Sequence, residues 1–255
     1  MATGKTARSR VMKRVAVQTV AALVAIALVS GACGSDSDDQ AEETTVDTEA
    51  GVIASPDDAL DVVILADSLA QGGWPQRWAD FIEADLDAEV VLHDLSVNGR
   101  VDYDVLLQRS EVREALQDAE VVFISPDPDY LRDACPPGTS LDCVTEFSGQ
   151  YREQWSVWLD QIGQLSNDAV LRSAKSWTWL APIDRRAGLV EFMDQMAEET
   201  LAHGGLVADM NRALTGADYS DEPPPDWVDT TGHLTGPGAD KMAELLHKLG
   251  YEAAS

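Results

Sequence analysis

Basic residues are scarce in this chain. Its 255 residues include 18 Lys and Arg against 45 Asp and Glu, so the formal net charge at pH 7 is -27. Phosphate contacts depend on Lys and Arg side chains, and this balance therefore argues against nucleic acid as a partner. Hydrophobic residues still make up 45% of the sequence, which is typical of a globular protein rather than a disordered one.

Cysteine is also rare, with three residues at Cys33, Cys135 and Cys143. This number is too small for a scaffold built from disulfides or for a four-cysteine zinc site. The sequence contains no zinc motif and no glycine-rich phosphate loop, and we expect neither a metal nor an organic cofactor. Only the segment PPGTSLD separates Cys135 from Cys143. In an exported protein this spacing favours a local disulfide; the alternative is two free buried thiols.

No apolar run is long enough for an ordinary membrane span, which needs about 20 residues. The longest unbroken run, Val20 to Val29, has 10 residues and follows a basic segment without acidic residues. It ends in small residues before Cys33, which predicts a signal peptide over residues 1–32. The junction resembles the lipobox of bacterial lipoproteins, whose cysteine becomes the lipidated first residue, although Ser30 stands where that motif usually has Leu. An ordinary cleaved signal peptide or an uncleaved anchor, with Cys33 incidental, is the alternative.

Residues 33–58 are polar and acidic and have few aromatic side chains. Such a segment cannot bury enough apolar area to fold, and we predict a disordered tether. The folded domain is predicted over residues 59–255. The lipobox resemblance implies a lipid at Cys33 and a position on the outer face of the cell membrane, and the tether is what a surface-anchored domain would use; we expect an exported monomer.

From residue 59 onward, short apolar runs alternate with segments of helical periodicity. Strands are predicted within 61–66, 89–92, 119–124, 169–181 and 205–208, and helices over 74–86, 105–116, 147–165, 187–203 and 235–250. This alternation predicts an α/β fold whose parallel sheet is covered on both faces. In such sheets functional residues collect where the strands end at their carboxyl edge.

Two side chains at that edge suggest nucleophilic catalysis. Ser68 directly follows the first strand, where its hydroxyl is expected to be exposed; the alternative is a helix N-cap. His233 lies in a loop rich in Gly and Thr, immediately before the last helix, with Asp229 four residues earlier. A serine becomes a useful nucleophile when a base is in reach, and a carboxylate can orient that base.

These residues resemble the sequence blocks of the SGNH/GDSL hydrolases. Ala66-Asp67-Ser68-Leu69 corresponds to the first block, Gly99 to the glycine after the second strand, and Asp229 with His233 to the last block. The resemblance spans residues 61–250 and implies a three-layer α/β/α, flavodoxin-like fold. It also implies that Ser68 is the nucleophile, His233 the base and Asp229 the orienting acid. The backbone N–H groups of Ser68 and Gly99 would then form part of an oxyanion hole.

The chain departs from the family pattern at three positions. Ala66 replaces the glycine of the first block, and Asp229 lies four residues before the histidine instead of three. The third block normally supplies an asparagine whose amide donates to the oxyanion, whereas this chain has Ser125 and Asp127. Ser125 could donate through its hydroxyl, and Asp127 only if protonated. Loss of one such donor typically lowers the rate by about 10²–10³.

The resemblance therefore favours an extracytoplasmic serine esterase that acts on a lipid or glycan ester through an acyl-serine intermediate. A catalytically weak or inactive lipoprotein of the same fold, which binds a cell-envelope glycan or a partner, is the alternative. A solute-binding lipoprotein would share the anchor and tether, but such proteins usually need two lobes, and the chain after the tether is short for that.

Overall fold

The computed structural model describes residues 59–136, 141–167, 169–177 and 183–251. The predicted signal peptide 1–32, the lipidation site Cys33 and the tether 33–58 lie outside these residues. Within the described ranges, no helix combines the length and the apolar character needed to cross a bilayer.

Five parallel strands form the central sheet, in the order β2-β1-β3-β4-β5. The strands are β1 (Leu60–Leu65), β2 (Val90–Asp94), β3 (Val121–Ile124), β4 (Val170–Lys175) and β5 (Leu206–Asp209). This is the flavodoxin-like order, in which the chain changes direction across the sheet beside β1 and β3. The predicted α/β architecture is confirmed.

Helices cover both faces of the sheet. They are α1 (Trp74–Leu86), α2 (Tyr103–Leu106), α3 (Ser110–Asp118), α4 (Asp129–Ala134), α5 (Leu141–Leu165), α6 (Ile183–Ala202), α7 (Met210–Thr215) and α8 (Gly236–His247). The single helix predicted over 105–116 is wrong, because Arg109 adopts extended backbone (φ -70°, ψ 137°) and separates α2 from α3. Helix α5 starts earlier than the predicted residue 147, since Cys143 and Val144 extend its apolar face against the core. The short helices α4 and α7 have too few residues to show a periodic pattern.

Successive residues of β1 point to opposite faces of the sheet, and both faces are buried. Val63 and Leu65 pack with α2, α3, α5 and α6, whereas Val62 and Ile64 pack with α1, α7 and α8. Because Val62 to Leu65 are buried on alternating faces, all four are apolar, which explains the unbroken apolar run in the sequence. The same packing brings the last helix, α8, against the first, α1.

The predicted disulfide between Cys135 and Cys143 is confirmed, with Cα atoms 6.0 Å apart. It joins the end of α4 to the first turn of α5. Helix α4 directly follows the loop after β3, so the bridge braces a segment next to the carboxyl edge of the sheet.

Candidate active site

Ser68 begins a short 3-10 turn, Ser68–Ala70, that directly follows β1. Asp67 caps this turn, because its Oδ1 accepts a hydrogen bond of 2.9 Å from the N–H of Leu69. The carbonyl oxygen of Leu69 in turn accepts one of 2.7 Å from the indole of Trp74. Asp67, and not Ser68, is therefore the N-cap of this turn. The Ser68 side chain is half-buried, and its hydroxyl has no hydrogen-bond partner among the described residues.

Gly99 lies in the exposed loop after β2 and has a φ of +95°, a conformation that favours glycine. The neighbouring Asn98 accepts a hydrogen bond of 2.9 Å from the side chain of Gln71, which links this loop to the serine turn. Among the described residues, neither the Ser68 N–H nor the Gly99 N–H has a hydrogen-bond acceptor. Both backbone donors are therefore available to a ligand.

Ser125 and Asp127 lie where β3 ends, and each is only 1% exposed. The Ser125 hydroxyl is buried and has no hydrogen-bond partner in the described part of the chain. Asp127 uses both carboxylate oxygens as acceptors: Oδ2 from the N–H of Val101 at 3.1 Å, and Oδ1 from the N–H of Asp129 at 2.8 Å. The Asp127 carboxylate therefore fixes the backbone two residues beyond Gly99. An oxyanion role for Ser125 and Asp127 stays a prediction.

Asp67 and Asp127 are both buried, and the charge of Asp127 acts on Asp67. Burial, with a smaller contribution from the charge of Asp127, raises the pKa of Asp67 from 3.8 to about 8. Burial also raises the pKa of Asp127, although its two backbone hydrogen bonds oppose that shift. Asp67 therefore keeps its proton at neutral pH and places no negative charge beside Ser68.

His233 lies in a loop closed by an antiparallel bridge between Val228 and Leu234. Within this loop, Oδ1 of Asp229 accepts hydrogen bonds from the N–H of Thr231 at 2.7 Å and the N–H of His233 at 3.1 Å. The indole of Trp177, which follows β4, donates to the carbonyl oxygen of Gly232 at 2.8 Å. The loop is held both from within and by the neighbouring strand end.

The imidazole of His233 contacts Thr231, and Asp229 contacts Thr231 as well. Oγ1 of Thr231 lies 2.7 Å from Nδ1 of His233 and 2.6 Å from Oδ1 of Asp229. The sequence predicted that Asp229 itself would orient the imidazole; in the structure the threonine hydroxyl lies between them. Hydrogen bonds from Thr231 lower the pKa of Asp229, so this carboxylate is charged at neutral pH. Nε2 of His233 has no hydrogen-bond partner among the described residues.

The serine turn and the histidine loop contact each other at Gly72 and Leu234. A Cβ built on Gly72 would lie 2.3 Å from the carbonyl oxygen of Leu234, so only glycine allows this approach. Arg77 strengthens the junction, because its guanidinium donates to the carbonyl oxygen of Gly72 at 2.9 Å and pairs with Asp240 of α8 at 2.7 Å. Ser68 and His233 do not hydrogen-bond to each other.

The other three histidines have partners in their own surroundings. His93 pairs with Asp61 at 2.6 Å, His203 contacts the carbonyl oxygen of Glu199 at 2.8 Å, and His247 stacks on Phe81 with ring centroids 5.0 Å apart. In the described ranges, no group of three or more His, Cys, Asp or Glu side chains is arranged to hold a metal ion.

Solved structures of lipases and esterases resemble this fold. A lipase from a goat rumen metagenome aligns over 76% of this chain and 98% of its own, at 19% identity and a TM-score of 0.64. An acetylxylan esterase from Geobacillus stearothermophilus aligns over 75% and 94%, at 11% identity and a TM-score of 0.54. A phospholipase A1 from Streptomyces albidoflavus aligns over 73% and 98%, at 14% identity and a TM-score of 0.50.

No family model matches the chain, and no curated protein matches it in sequence. At the identities of the solved structures, the likeness establishes the three-layer fold.

Proposed function

We propose that this protein is an extracytoplasmic serine hydrolase that cleaves ester bonds through an acyl intermediate on Ser68. The proposal rests mainly on the junction between Gly72 and Leu234, which joins the serine turn to the loop that carries His233. The serine turn directly follows β1, which lies beside β3 at the point where the strand order reverses, and ligands bind at this point in sheets of this order. The lipases and esterases of the same fold support the same chemistry.

The residues take the following roles. Nε2 of His233 accepts the proton of the Ser68 hydroxyl as the oxygen attacks the ester carbonyl. The free N–H groups of Ser68 and Gly99 stabilise the negative charge that develops on the carbonyl oxygen. The protonated imidazole then gives its proton to the leaving alcohol. A water molecule, activated by the same imidazole, hydrolyses the acyl-serine and restores the enzyme.

The substrate class that follows is an acyl or acetyl ester of a lipid or a carbohydrate. Among the solved structures of similar fold, the lipase and the phospholipase favour a lipid ester. The acetylxylan esterase favours an acetylated carbohydrate. The net charge of -27 disfavours strongly anionic substrates, because like charges repel at the approach to the site.

Labelling with a fluorophosphonate probe tests this function without knowledge of the substrate. A serine reacts quickly with such a probe only when its base and oxyanion donors are assembled. We expect the purified wild-type protein to be labelled and the Ser68→Ala variant to remain unlabelled. If the folded wild-type protein is not labelled, the hydrolase proposal is wrong.

A binding protein without turnover is the second candidate, and the hydrogen bonds of Asp127 favour it. Both of its oxygens accept from backbone N–H groups, at the place where the SGNH/GDSL sequence pattern has an asparagine donor. Failure to label, combined with binding of a cell-envelope glycan measured by calorimetry, would support this candidate.

Attachment through a lipid at Cys33 is also part of the proposal, together with a monomeric state. Export agrees with the Cys135–Cys143 disulfide, since disulfides persist in oxidising compartments. In a bacterial host fed an alkyne-labelled fatty acid, we expect the wild-type chain to carry the label and the Cys33→Ser variant to lack it. An unlabelled wild-type chain would contradict the anchor and leave the hydrolase proposal unaffected.

A further inference from the structure

We propose that Thr231 is the residue that orients the catalytic imidazole, as a neutral link between Asp229 and His233. This inference rests on the proposed function, since it assigns a positioning role for the base of that reaction. The observation that carries it is the single hydroxyl that lies 2.6 Å from Asp229 Oδ1 and 2.7 Å from His233 Nδ1.

The number of donors fixes the direction of both hydrogen bonds. A threonine hydroxyl has one hydrogen to donate, and a charged carboxylate can only accept. The Thr231 hydrogen therefore goes to Asp229, and the lone pairs of Oγ1 face the imidazole. A hydrogen bond between Oγ1 and Nδ1 then requires that Nδ1 carries a hydrogen. This leaves Nε2 of His233 unprotonated, which is the tautomer that a general base for Ser68 needs.

The protons balance along this chain of groups. When Nε2 takes the proton of Ser68, Nδ1 keeps its own hydrogen and continues to donate it to Thr231. No proton passes through the threonine, so no alkoxide forms there. The carboxylate of Asp229 polarises the Thr231 hydroxyl and stabilises the imidazolium through it.

The backbone of the loop holds Asp229 in place for this role. Its Oδ1 also accepts hydrogen bonds from the N–H groups of Thr231 and His233. The carboxylate is thus tied to the loop and reaches the imidazole through the threonine. The Asp229-to-His233 spacing, one residue longer than in the related family, leaves room for this hydroxyl.

Four variants of the full-length protein distinguish this arrangement from direct contact between Asp229 and His233. Thr231→Val keeps the shape and removes the hydroxyl, and Thr231→Ser keeps the hydroxyl. Thr230→Val is the matched control, because Thr230 is exposed and has no hydrogen bond to any described residue. The fourth variant is Asp229→Asn, whose amide oxygen can still accept the hydrogen of Thr231.

We expect the rate of fluorophosphonate labelling to fall about 10–100-fold in Thr231→Val, the loss typical of a metal-bound imidazole deprived of its outer hydrogen-bond partner. Thr231→Ser and Thr230→Val should label within about threefold of wild type. In Asp229→Asn the labelling rate should fall less than about tenfold. In a triad where the acid contacts the histidine directly, the same change lowers the catalytic rate by about 10⁴, because the amide imposes the wrong tautomer on the histidine. A Thr231→Val rate equal to wild type, or a loss near 10⁴ in Asp229→Asn, would overturn the proposal.

Nitrogen NMR of His233 supplies a readout that does not depend on activity. We expect the Nδ1–H tautomer in the wild-type protein and in Thr231→Ser, and a shift toward the Nε2–H tautomer in Thr231→Val. If the wild-type protein is not labelled at all, the hydrolase proposal fails, and the NMR result alone then decides the role of Thr231. An Nε2–H tautomer in the wild-type protein would refute that role.

Discussion

Gly72 lies against the carbonyl oxygen of Leu234, so closely that a Cβ on Gly72 would come within 2.3 Å of that oxygen. Gly72 is four residues after the proposed nucleophile, and Leu234 directly follows the proposed base. The two segments that carry these residues therefore touch through a contact that only glycine permits.

We predict that Gly72→Ala lowers the labelling rate of Ser68 by at least about tenfold, because the histidine loop has to move away from the serine turn. Gly73→Ala is the matched control: its φ of +78° carries a similar strain of about 1–2 kcal/mol, but its Cβ would approach nothing closer than Arg77 Nη1 at 3.8 Å. Both variants should lose some thermal stability, and only Gly72→Ala should lose labelling beyond that. Equal labelling rates in the two variants would show that the contact does not set the geometry.

Asp127→Asn should not restore the missing amide donor. The side chain is 1% exposed and both of its oxygens accept backbone hydrogen bonds, so an amide nitrogen would face a backbone N–H. We expect the free energy of unfolding to fall by about 1–3 kcal/mol and the labelling rate to fall with it. Urea denaturation and probe kinetics measure the two effects. Faster labelling than wild type would instead mean that the amide reaches the oxyanion.

The pKa of Asp67 predicts a pH dependence of stability. In the unfolded chain this carboxyl ionises near its ordinary pKa of 3.8, whereas burial in the folded protein raises the pKa to about 8. Between these values the folded state binds more protons, so the contribution of Asp67 makes the free energy of unfolding decrease as the pH rises. In Asp67→Asn, the decrease in the free energy of unfolding between pH 5 and pH 8 should be smaller than in the wild-type protein by about 2–4 kcal/mol. An identical decline in the variant would contradict the raised pKa.

The same carboxyl predicts the alkaline limit of reactivity. Above pH 8 the ionised Asp67 places a negative charge beside Ser68, where the oxyanion develops. We expect the labelling rate of the wild-type protein to fall above pH 8. The labelling rate of Asp67→Asn should stay constant over the same pH range. The amide of the variant keeps an oxygen that can accept from Leu69, so the serine turn should persist. Rates recorded from pH 6 to pH 10 would distinguish the two profiles.

Removal of the disulfide should affect stability more than chemistry. The bridge closes a short loop with a sequence separation of 8 residues, for which chain entropy gives about 2–3 kcal/mol. The double variant Cys135→Ala, Cys143→Ala should therefore melt about 5–10 °C lower than wild type. At 25 °C its labelling rate should stay within about threefold. Loss of labelling without a change in melting temperature would mean that the cysteines act on the site itself.

The position of Ser68 could be predicted because it depends on a local pattern. The apolar run of β1 is buried on both faces and ends at Ala66, so the next polar residues had to lie at the carboxyl edge of the sheet. The place of His233 before the last helix followed in the same way from the start signal Thr235-Gly-Pro237. Patterns of this kind need no knowledge of distant contacts.

The role of Thr231 and the Gly72–Leu234 contact could not be predicted in this way. The conformation of the loop, in which Gly232 has a φ of +92°, determines which threonine hydroxyl contacts the imidazole of His233. The contact of Gly72 joins segments that are far apart along the chain, and the sequence shows only a Gly-Gly pair. The sequence does show that Thr231 is a hydroxyl residue between Asp229 and His233. Thr230 has the same property, so the sequence does not distinguish the two.

The packing of α8 against α1 has a consequence for the order of synthesis. Ser68 is synthesised well before His233, and the contact between Gly72 and Leu234 can form only after the segment that leads into α8 has been synthesised. A growing or truncated chain would hold the serine without its base, as a bare hydroxyl of ordinary reactivity. If the protein is the exported hydrolase proposed above, its serine would stay unreactive toward esters until the segment that carries His233 had been synthesised.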